Sequence, residues 1–432
     1  MADMRDLLND CVHCGFCLPA CPTYRSWGTE MDSPRGRIYL MDALEKGTLK
    51  LDGDVVEHFD KCLGCMACVS ACPSGVQYDA LIEETRARIQ TSYPRSPADA
   101  AFRNFIFSLF PYPKRLRALL RPLAWYARSG LQALVRRSGM LRLLPARLAQ
   151  LEALTPQIGP EHASDALAPF TPAQGERRAR VALVAGCVQR VFFPGVNAAT
   201  IDVLAAEGCD VVVPAPQGCC GALSVHAGRH EEAQRFARAL IERFEKESVD
   251  AIIINAAGCG STLKEYGRLF EDDPAWHARA EAMAAKVKDV TEFLAGLEPR
   301  APRGPLPMRV AYHDACHLAH AQGLREQPRS LLRTIPGLTI LEVPQGDECC
   351  GSAGIYNMVE PQSAREIGER KVANVLATGA EALISANPGC TLQIQSLLRV
   401  RRITLPAYHP VELLARSLKS AGVAPLAPSP RW

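Results

Sequence analysis

Several things are missing from this 432-residue sequence, and each absence narrows the reading. No run of about 18 apolar residues occurs, so no segment reads as membrane-spanning. The first residues, Met-Ala-Asp-Met-Arg-Asp, are polar, and no signal peptide is expected from them. No G-x-G-x-x-G follows an apolar run, and no P-loop appears, so neither a dinucleotide nor a nucleoside triphosphate site is signalled. The net charge of +3 is too small to argue for nucleic acid, and no nucleic-acid motif accompanies it. From Arg103 to Arg147 there are ten basic residues and no acidic one. The chain is otherwise of ordinary composition, long enough for two or three domains, and it carries 17 cysteines.

Those cysteines are patterned. Cys11-Val-His-Cys14-Gly-Phe-Cys17-Leu-Pro-Ala-Cys21-Pro22 and Cys62-Leu-Gly-Cys65-Met-Ala-Cys68-Val-Ser-Ala-Cys72-Pro73 both read C-x₂-C-x₂-C-x₃-C-P. Three thiolates at that spacing hold one 4Fe–4S cluster, and the fourth reaches across to a second. The expected ligands are therefore Cys11, Cys14, Cys17 and Cys72 for one cluster and Cys62, Cys65, Cys68 and Cys21 for the other. Disulfide frameworks belong to small secreted domains, and zinc sites pair two C-x₂-C units, so neither fits tandem runs closed by Cys-Pro. Around the motifs the pattern is helical. Ser33-Pro34 reads as an N-cap with proline in the first turn, and Ile38, Met41 and Leu44 share a face. We expect an α-helical ferredoxin domain over residues 1–92 with two clusters held in its loops.

Residues 93–178 read as a connector. The basic stretch interleaves Phe105, Phe107, Phe110, Trp125, Leu131 and Leu134, and prolines 111, 113, 122 and 145 are expected to cut it into short helices. It reads either as a partner-docking surface or as a helical connector with arginines in solvent, with contact to an anionic surface a further reading. Residues 154–178 are rich in Pro, Ala and Gly and read as a linker.

The remainder is an internal repeat, units 179–300 and 306–420. Val181–Cys187 matches Val310–Cys316, Gly218-Cys219-Cys220-Gly221 matches Glu348-Cys349-Cys350-Gly351, and Ala251–Cys259 matches Ala382–Cys390. The offsets at these landmarks are 129, 130 and 131 residues. Continuous apolar runs alternating with helical stretches indicate parallel sheets covered on both faces, an α/β arrangement. Sites in such sheets form beyond the carboxyl ends of the strands. Each unit thus gathers four cysteines at one edge: Cys187, Cys219, Cys220 and Cys259, then Cys316, Cys349, Cys350 and Cys390. These suit iron–sulfur ligation or thiol chemistry, whereas Cys209 reads as an inert core residue. His313, His317 and His320 flank Cys316 and read either as tuning residues or as packing residues.

The tandem cysteine runs followed by two Cys-Cys-Gly units resemble the iron–sulfur subunits of glycolate oxidase. More distant likenesses are the third subunit of anaerobic glycerol-3-phosphate dehydrogenase and the heterodisulfide reductases. Ser33-Pro-Arg-Gly-Arg-Ile38, Tyr312-His-Asp-Ala-Cys-His317 and Asn387-Pro-Gly-Cys390 are most similar to the glycolate oxidase branch. The resemblance implies an electron-transfer subunit without substrate chemistry of its own. It implies an FAD-containing dehydrogenase subunit as partner, glycolate, lactate or glycerol 3-phosphate as the compound oxidised there, and a quinone or membrane acceptor. It also implies a cytoplasmic location, peripheral at the inner face of the membrane. One departure bears on the chemistry. The disulfide reductases end each unit in C-x₂-C, whereas here the first of that pair is Ala256 in one unit and Asn387 in the other. Four cysteines per unit remain, enough for one or two further ordinary clusters, and a thiol–disulfide reductase of the heterodisulfide reductase type stays as the alternative reading, weakened by these two substitutions.

Overall fold

The computed structural model describes residues 4–156, 158, 159, 162 and 166–424; parts of the expected linker, 157, 160–161 and 163–165, lie outside the described residues. The chain combines an N-terminal helical, ferredoxin-like part with two α/β units built on parallel sheets, as the repeat pattern predicts.

Among the described residues six α-helices form the first part: Met4–Asn9, Pro22–Trp27, Pro34–Glu45, Gly53–Asp60, Ala67–Ser70 and Tyr78–Ser92. The hydroxyl of Ser33 accepts the Gly36 N–H at 2.9 Å, so the expected cap starts the third helix. Asp52 caps the fourth by accepting the Val55 N–H at 3.1 Å. The apolar faces converge on Phe59, Leu81, Ile82 and Ile89, all within 1% of full burial. Each such side chain contributes roughly 1.5–3 kcal/mol by leaving water.

The connector folds into Pro97–Leu109, Pro113–Arg128, Leu131–Ser138 and Ala146–Leu154. Prolines 111, 113 and 145 fall at the breaks, but Pro122 sits inside a continuous helix. Both Pro122 and Ala118, four residues back, face solvent, so water can serve the carbonyl that loses its N–H partner. The reading of arginines left in solvent is also corrected in part. Arg103 and Arg147 both pair with Asp99, at 2.9 and 2.7 Å, and Arg136 pairs with Glu152 at 2.9 Å. The acids are supplied from just outside the basic stretch.

Among the described residues nine strands form two sheets. The first contains β1 (Phe170–Thr171), β2 (Ala179–Val184), β3 (Cys209–Val212), β4 (Ala251–Ile254) and β5 (Val287–Asp289), in the order β1-β3-β2-β4-β5. All its pairings are parallel except that of β1, which adds an antiparallel edge from within the supposed linker. The second contains β6 (Met308–His313), β7 (Leu338–Glu342), β8 (Ala382–Ser385) and β9 (Ala407–Tyr408), all parallel, in the order β7-β6-β8-β9.

The two units share one core. Val181, Leu183 and Ile253 of the first sheet lie in the same buried cluster as Val310, Tyr312 and Ile384 of the second. Helix Pro194–Ala206 packs on Pro410–Ser420, and Val290–Ala295 packs on Glu326–Arg333. Each unit therefore contributes one sheet face to the joint and covers the other face with its own helices. This pairing aims the carboxyl ends of the central strands of both units at one region.

Candidate functional site: four groups of cysteines

Cys11, Cys14, Cys17 and Cys72 line one small pocket, together with Val12, Phe16 and Arg35. Cys21, Cys62, Cys65 and Cys68 line a second, with Arg37 and Tyr78. The fourth cysteine of each motif thus lies with the first three of the other. The first pocket is at the surface: Cys14 is exposed and Phe16 is 65% exposed. The second is interior, and all four of its cysteines are buried.

The donor sets fit iron–sulfur clusters. Four thiols converge on each pocket without a disulfide, and N–H groups are directed at sulfur. Gly64 N donates to Cys62 Sγ at 3.4 Å, and the Tyr78 hydroxyl donates to it at 3.6 Å. Burial pushes the Cys62 thiol up, but Arg37, Arg86, the Gly64 N–H and Tyr78 outweigh it and hold it below the usual thiol range. Burial raises Cys65 and Cys68 instead, with neighbouring thiols adding to the effect. Burial also pushes Cys17 up to about 11.

Arg37 escaped the sequence reading as a site residue. It is 1% exposed, donates to the His58 carbonyl at 2.7 Å and to Thr23 Oγ1 at 3.3 Å, and lies 3.6 Å from Asp32. A signal existed. Positions 37, 41 and 44 share the helix face that carries Met41 and Leu44 inward, so an arginine at 37 had to be buried with a purpose.

The two Cys-Cys-Gly units bring their quartets together as expected. Cys187 Sγ lies 3.5 Å from Cys219 Sγ, and Cys219 and Cys259 both donate to Cys220. In the second unit the corresponding series runs Cys316, Cys349, Cys350, Cys390. Both glycines after the pairs are required. Gly221 and Gly351 have φ of +87° and +84°, and a Cβ on Gly351 would lie 2.4 Å from the Ala364 carbonyl oxygen. Within the first quartet, hydrogen bonds from Cys219 and Cys259 favour a thiolate on Cys220 and hold it well below the usual range. Four crowded thiols, all buried except the half-buried Cys259, are a poor core but a suitable ligand set for a soft metal centre.

The sequence did not anticipate that both quartets line a single cavity of about 440 Å³. The three histidines separate in role. His313 lies with Cys350 and Cys390, their ligand atoms all within 4.8 Å of one another, and neither ring nitrogen has a hydrogen-bond partner. His317 Nδ1 lies 3.4 Å from Cys316 Sγ. His320 faces away, bridging Ser70 and the Asp347 carbonyl, which is a packing role.

The helical part is seated on the repeats beside this cavity. Leu63 and Cys65 share a buried cluster with Cys316 and Cys349. Arg86 donates to the carbonyls of both Cys62 and His226. Arg268 reaches Asp79 and Glu83, and Arg370 joins the Pro22 carbonyl to Glu348 at 3.2 and 2.8 Å. The second pocket is thereby held against the second quartet.

Fold and site define an iron–sulfur protein made of a ferredoxin-like part with two four-cysteine groups and of paired cysteine-rich units. Family descriptions match in the same order: a 4Fe-4S dicluster domain over 7–76, the linker region of the glycolate oxidase iron–sulfur subunit over 98–155, and a cysteine-rich domain over 181–264 and 310–395. The chain belongs to the glycolate oxidase iron–sulfur subunit family. It is 43% identical to the "Probable glycolate oxidase iron-sulfur subunit" of Bacillus subtilis strain 168, over 97% of this chain and 95% of that one. It is 33% identical to the "Glycolate oxidase iron-sulfur subunit" of Escherichia coli K12, over 96% of this chain and 95% of that one. "Lactate utilization protein A" of Exiguobacterium sp. AT1b is 34% identical over 56% of this chain and 99% of its own length. A hypothetical protein from Helicobacter pylori shares the fold, with a TM-score of 0.57 at 9% identity, covering 97% of this chain and 77% of that one.

Proposed function

We propose that this chain is the electron-transfer subunit of a flavin-dependent 2-hydroxy-acid dehydrogenase, with glycolate as the substrate oxidised to glyoxylate on the partner. One observation carries the reading: the cysteine groups form a continuous series from surface to interior. The first pocket opens at Cys14, the second lies behind it with Cys68 lining both, and Cys65 of the second packs with Cys316 and Cys349. When bound, iron–sulfur clusters accept and release single electrons. Cys11, Cys14, Cys17 and Cys72 hold one 4Fe–4S cluster, and Cys62, Cys65, Cys68 and Cys21 hold the other. The two Cys-Cys-Gly quartets hold one or two more. With clusters bound, the exposed Cys14 end would be where an FAD-containing subunit delivers electrons, and the cavity end would be where they pass towards a quinone. Among the described residues no helix is long and apolar enough to cross a membrane. The proposed location is cytoplasmic, peripheral at the inner face of the membrane.

Removing a hydride from a hydroxy acid moves two electrons at once, which a flavin can accept and pass on singly. On this reading the flavin and the hydroxy acid belong to the partner chain. Lactate is the second substrate reading, supported by relatives named for its utilization that match just over half of this chain. Disulfide reduction is disfavoured by Ala256 and Asn387. The test is glycolate-dependent reduction of a dye or quinone, measured with each subunit alone and with both together. Turnover is expected only from the pair. Turnover by this chain alone, without flavin, would overturn the reading.

A further inference from the structure

The cavity over the two quartets is walled by apolar residues of the connector. Leu109, Leu116, Leu119, Leu123 and Leu151 line it from one side, and the cysteines form its floor. Among the described residues, four buried polar atoms on residues that line the cavity have no hydrogen-bond partner: Glu152 Oε2, Gln189 Oε1, His226 Nε2 and His317 Nε2. Apolar walls with a few convergent polar groups are the form of a site for a mainly apolar organic molecule.

The surroundings of the cavity point to where that molecule comes from. Nine of the fourteen exposed large hydrophobics among the described residues fall between 105 and 148, including Trp125 at 66% and Leu143 at 86%. Lys114, Arg121, Arg128 and Arg137 are exposed on the same helices. Exposed tryptophan and leucine mixed with lysine and arginine, with no acid in the stretch, suit an anionic lipid interface. Phe105 and Leu119 belong both to the exposed set and to the cavity lining, so the cavity opens on this face.

We propose that the leucine-lined side of this cavity, above the cysteines that would hold the clusters, is the binding site for a lipophilic quinone, with the connector helices lying on anionic lipid at its mouth. The inference rests on the electron-transfer reading and names the acceptor's place. The quinone gains two electrons and two protons, and its two carbonyls become hydroxyls. The electrons come singly from the reduced iron–sulfur centres, whose reductant is the hydroxy acid oxidised on the flavin subunit. The protons come from water through His226. Its Nδ1 is held 3.1 Å from Glu83 Oε1, which leaves Nε2 for the ligand. His226 and His317 stand ring to ring at 4.9 Å, so the two free nitrogens serve one small region.

The test uses the full chain, reconstituted anaerobically with iron and sulfide and then reduced. Reoxidation by decylubiquinone is followed from the cluster absorbance. The rate is expected to saturate with quinone concentration. Leu119→Glu and Leu123→Glu each put a charge in the apolar wall and should raise the half-saturating concentration about tenfold or more. Bound iron, measured on each variant, separates this effect from misfolding. The chain should also sediment with phosphatidylglycerol vesicles and not with phosphatidylcholine vesicles, and Arg128→Glu should reduce that binding. Non-saturating reoxidation that is equally fast in both leucine variants would overturn the proposal. So would connector variants that keep saturable reoxidation but lose assembly with the flavin subunit, because the face would then be a protein interface. A reconstituted chain that holds no iron would instead refute the electron-transfer reading. Iron that is held and reduced, yet never reoxidised by decylubiquinone, would refute this inference alone.

Discussion

The hydroxyl of Ser70 lies 2.6 Å from Nδ1 of His320, and this contact ties together two cysteine loops distant in sequence. Ser70 lies between Cys68 and Cys72; His320 lies one turn beyond Cys316. Arg325 also donates to Nδ1, at 3.1 Å, while Nε2 faces the Asp347 carbonyl at 3.0 Å. The neutral ring protonated on Nε2 fits these contacts: the one lone pair of Nδ1 is shared between the donors Ser70 and Arg325, and Nε2–H donates to the Asp347 carbonyl. Burial, which lowers the affinity of His320 for a second proton, keeps it in that form. The joint between ferredoxin part and repeats is thus fixed by directed bonds close to the proposed electron path.

Crossed ligation is the first prediction. Cys21 lies with Cys62, Cys65 and Cys68, so Cys21→Ser should alter the spectrum of that interior cluster and spare the one near Cys14. Cys72→Ser should do the reverse. Electron paramagnetic resonance of the reduced variants separates the two centres. A change confined to the Cys11–Cys17 cluster in Cys21→Ser would reject the assignment.

Gly36 offers a packing test. A Cβ there would stand 1.9 Å from the Glu30 carbonyl oxygen, which belongs to backbone and cannot swing away. The helix it opens carries Pro34, which lines both cluster pockets. Gly36→Ala should therefore destabilise the helical part by about 1–3 kcal/mol and lower its iron content. Bound iron per chain and thermal unfolding check this; a variant with full iron and unchanged unfolding would contradict the close approach.

Whether the Cys-Cys-Gly units hold metal is decided by iron counting in the full chain. Replacing Cys220 and Cys350 by serine removes the centre of each quartet while leaving the ferredoxin cysteines untouched. Iron should fall below the wild-type value yet remain at about eight per chain, the content of two cubanes. Equal iron in wild type and variant would mean that the quartets are structural or redox-active without metal.

How much of this was legible depends on the range of the interaction. The cysteine spacing, the Ser33 cap and the strand runs Val181–Val184 and Ala251–Ile254 are local, and the structure follows them. The repeat offsets revealed two equivalent units. They carried no information on how the units pair, because that depends on which sheet faces are joined through Val181, Val310 and their neighbours. The shared cavity follows from that pairing. The strand β1 was hidden because two residues in a Pro-rich stretch carry no periodicity. Pro122 misled because a proline on a solvent face costs a helix less than one inside it.

A pH effect follows from the caps that close the two units. Glu412 accepts the His409 N–H at 2.8 Å, as Glu292 accepts that of Asp289 at 3.1 Å in the first unit. Burial raises the Glu412 carboxyl from its ordinary 4.5 to about 7, with the His409 N–H and Arg416 opposing the shift. The folded state then holds a proton that the unfolded state has released. Its contribution is fully present below the unfolded value and is lost as pH rises through the folded one. Stability should fall between about pH 4.5 and 7 by up to about 1.4 kcal/mol per unit from this group. Glu412→Gln removes the titration and should flatten that slope. Unfolding temperatures of both proteins across the window provide the check, and parallel slopes would show that Glu412 ionises in the folded chain as it does in water.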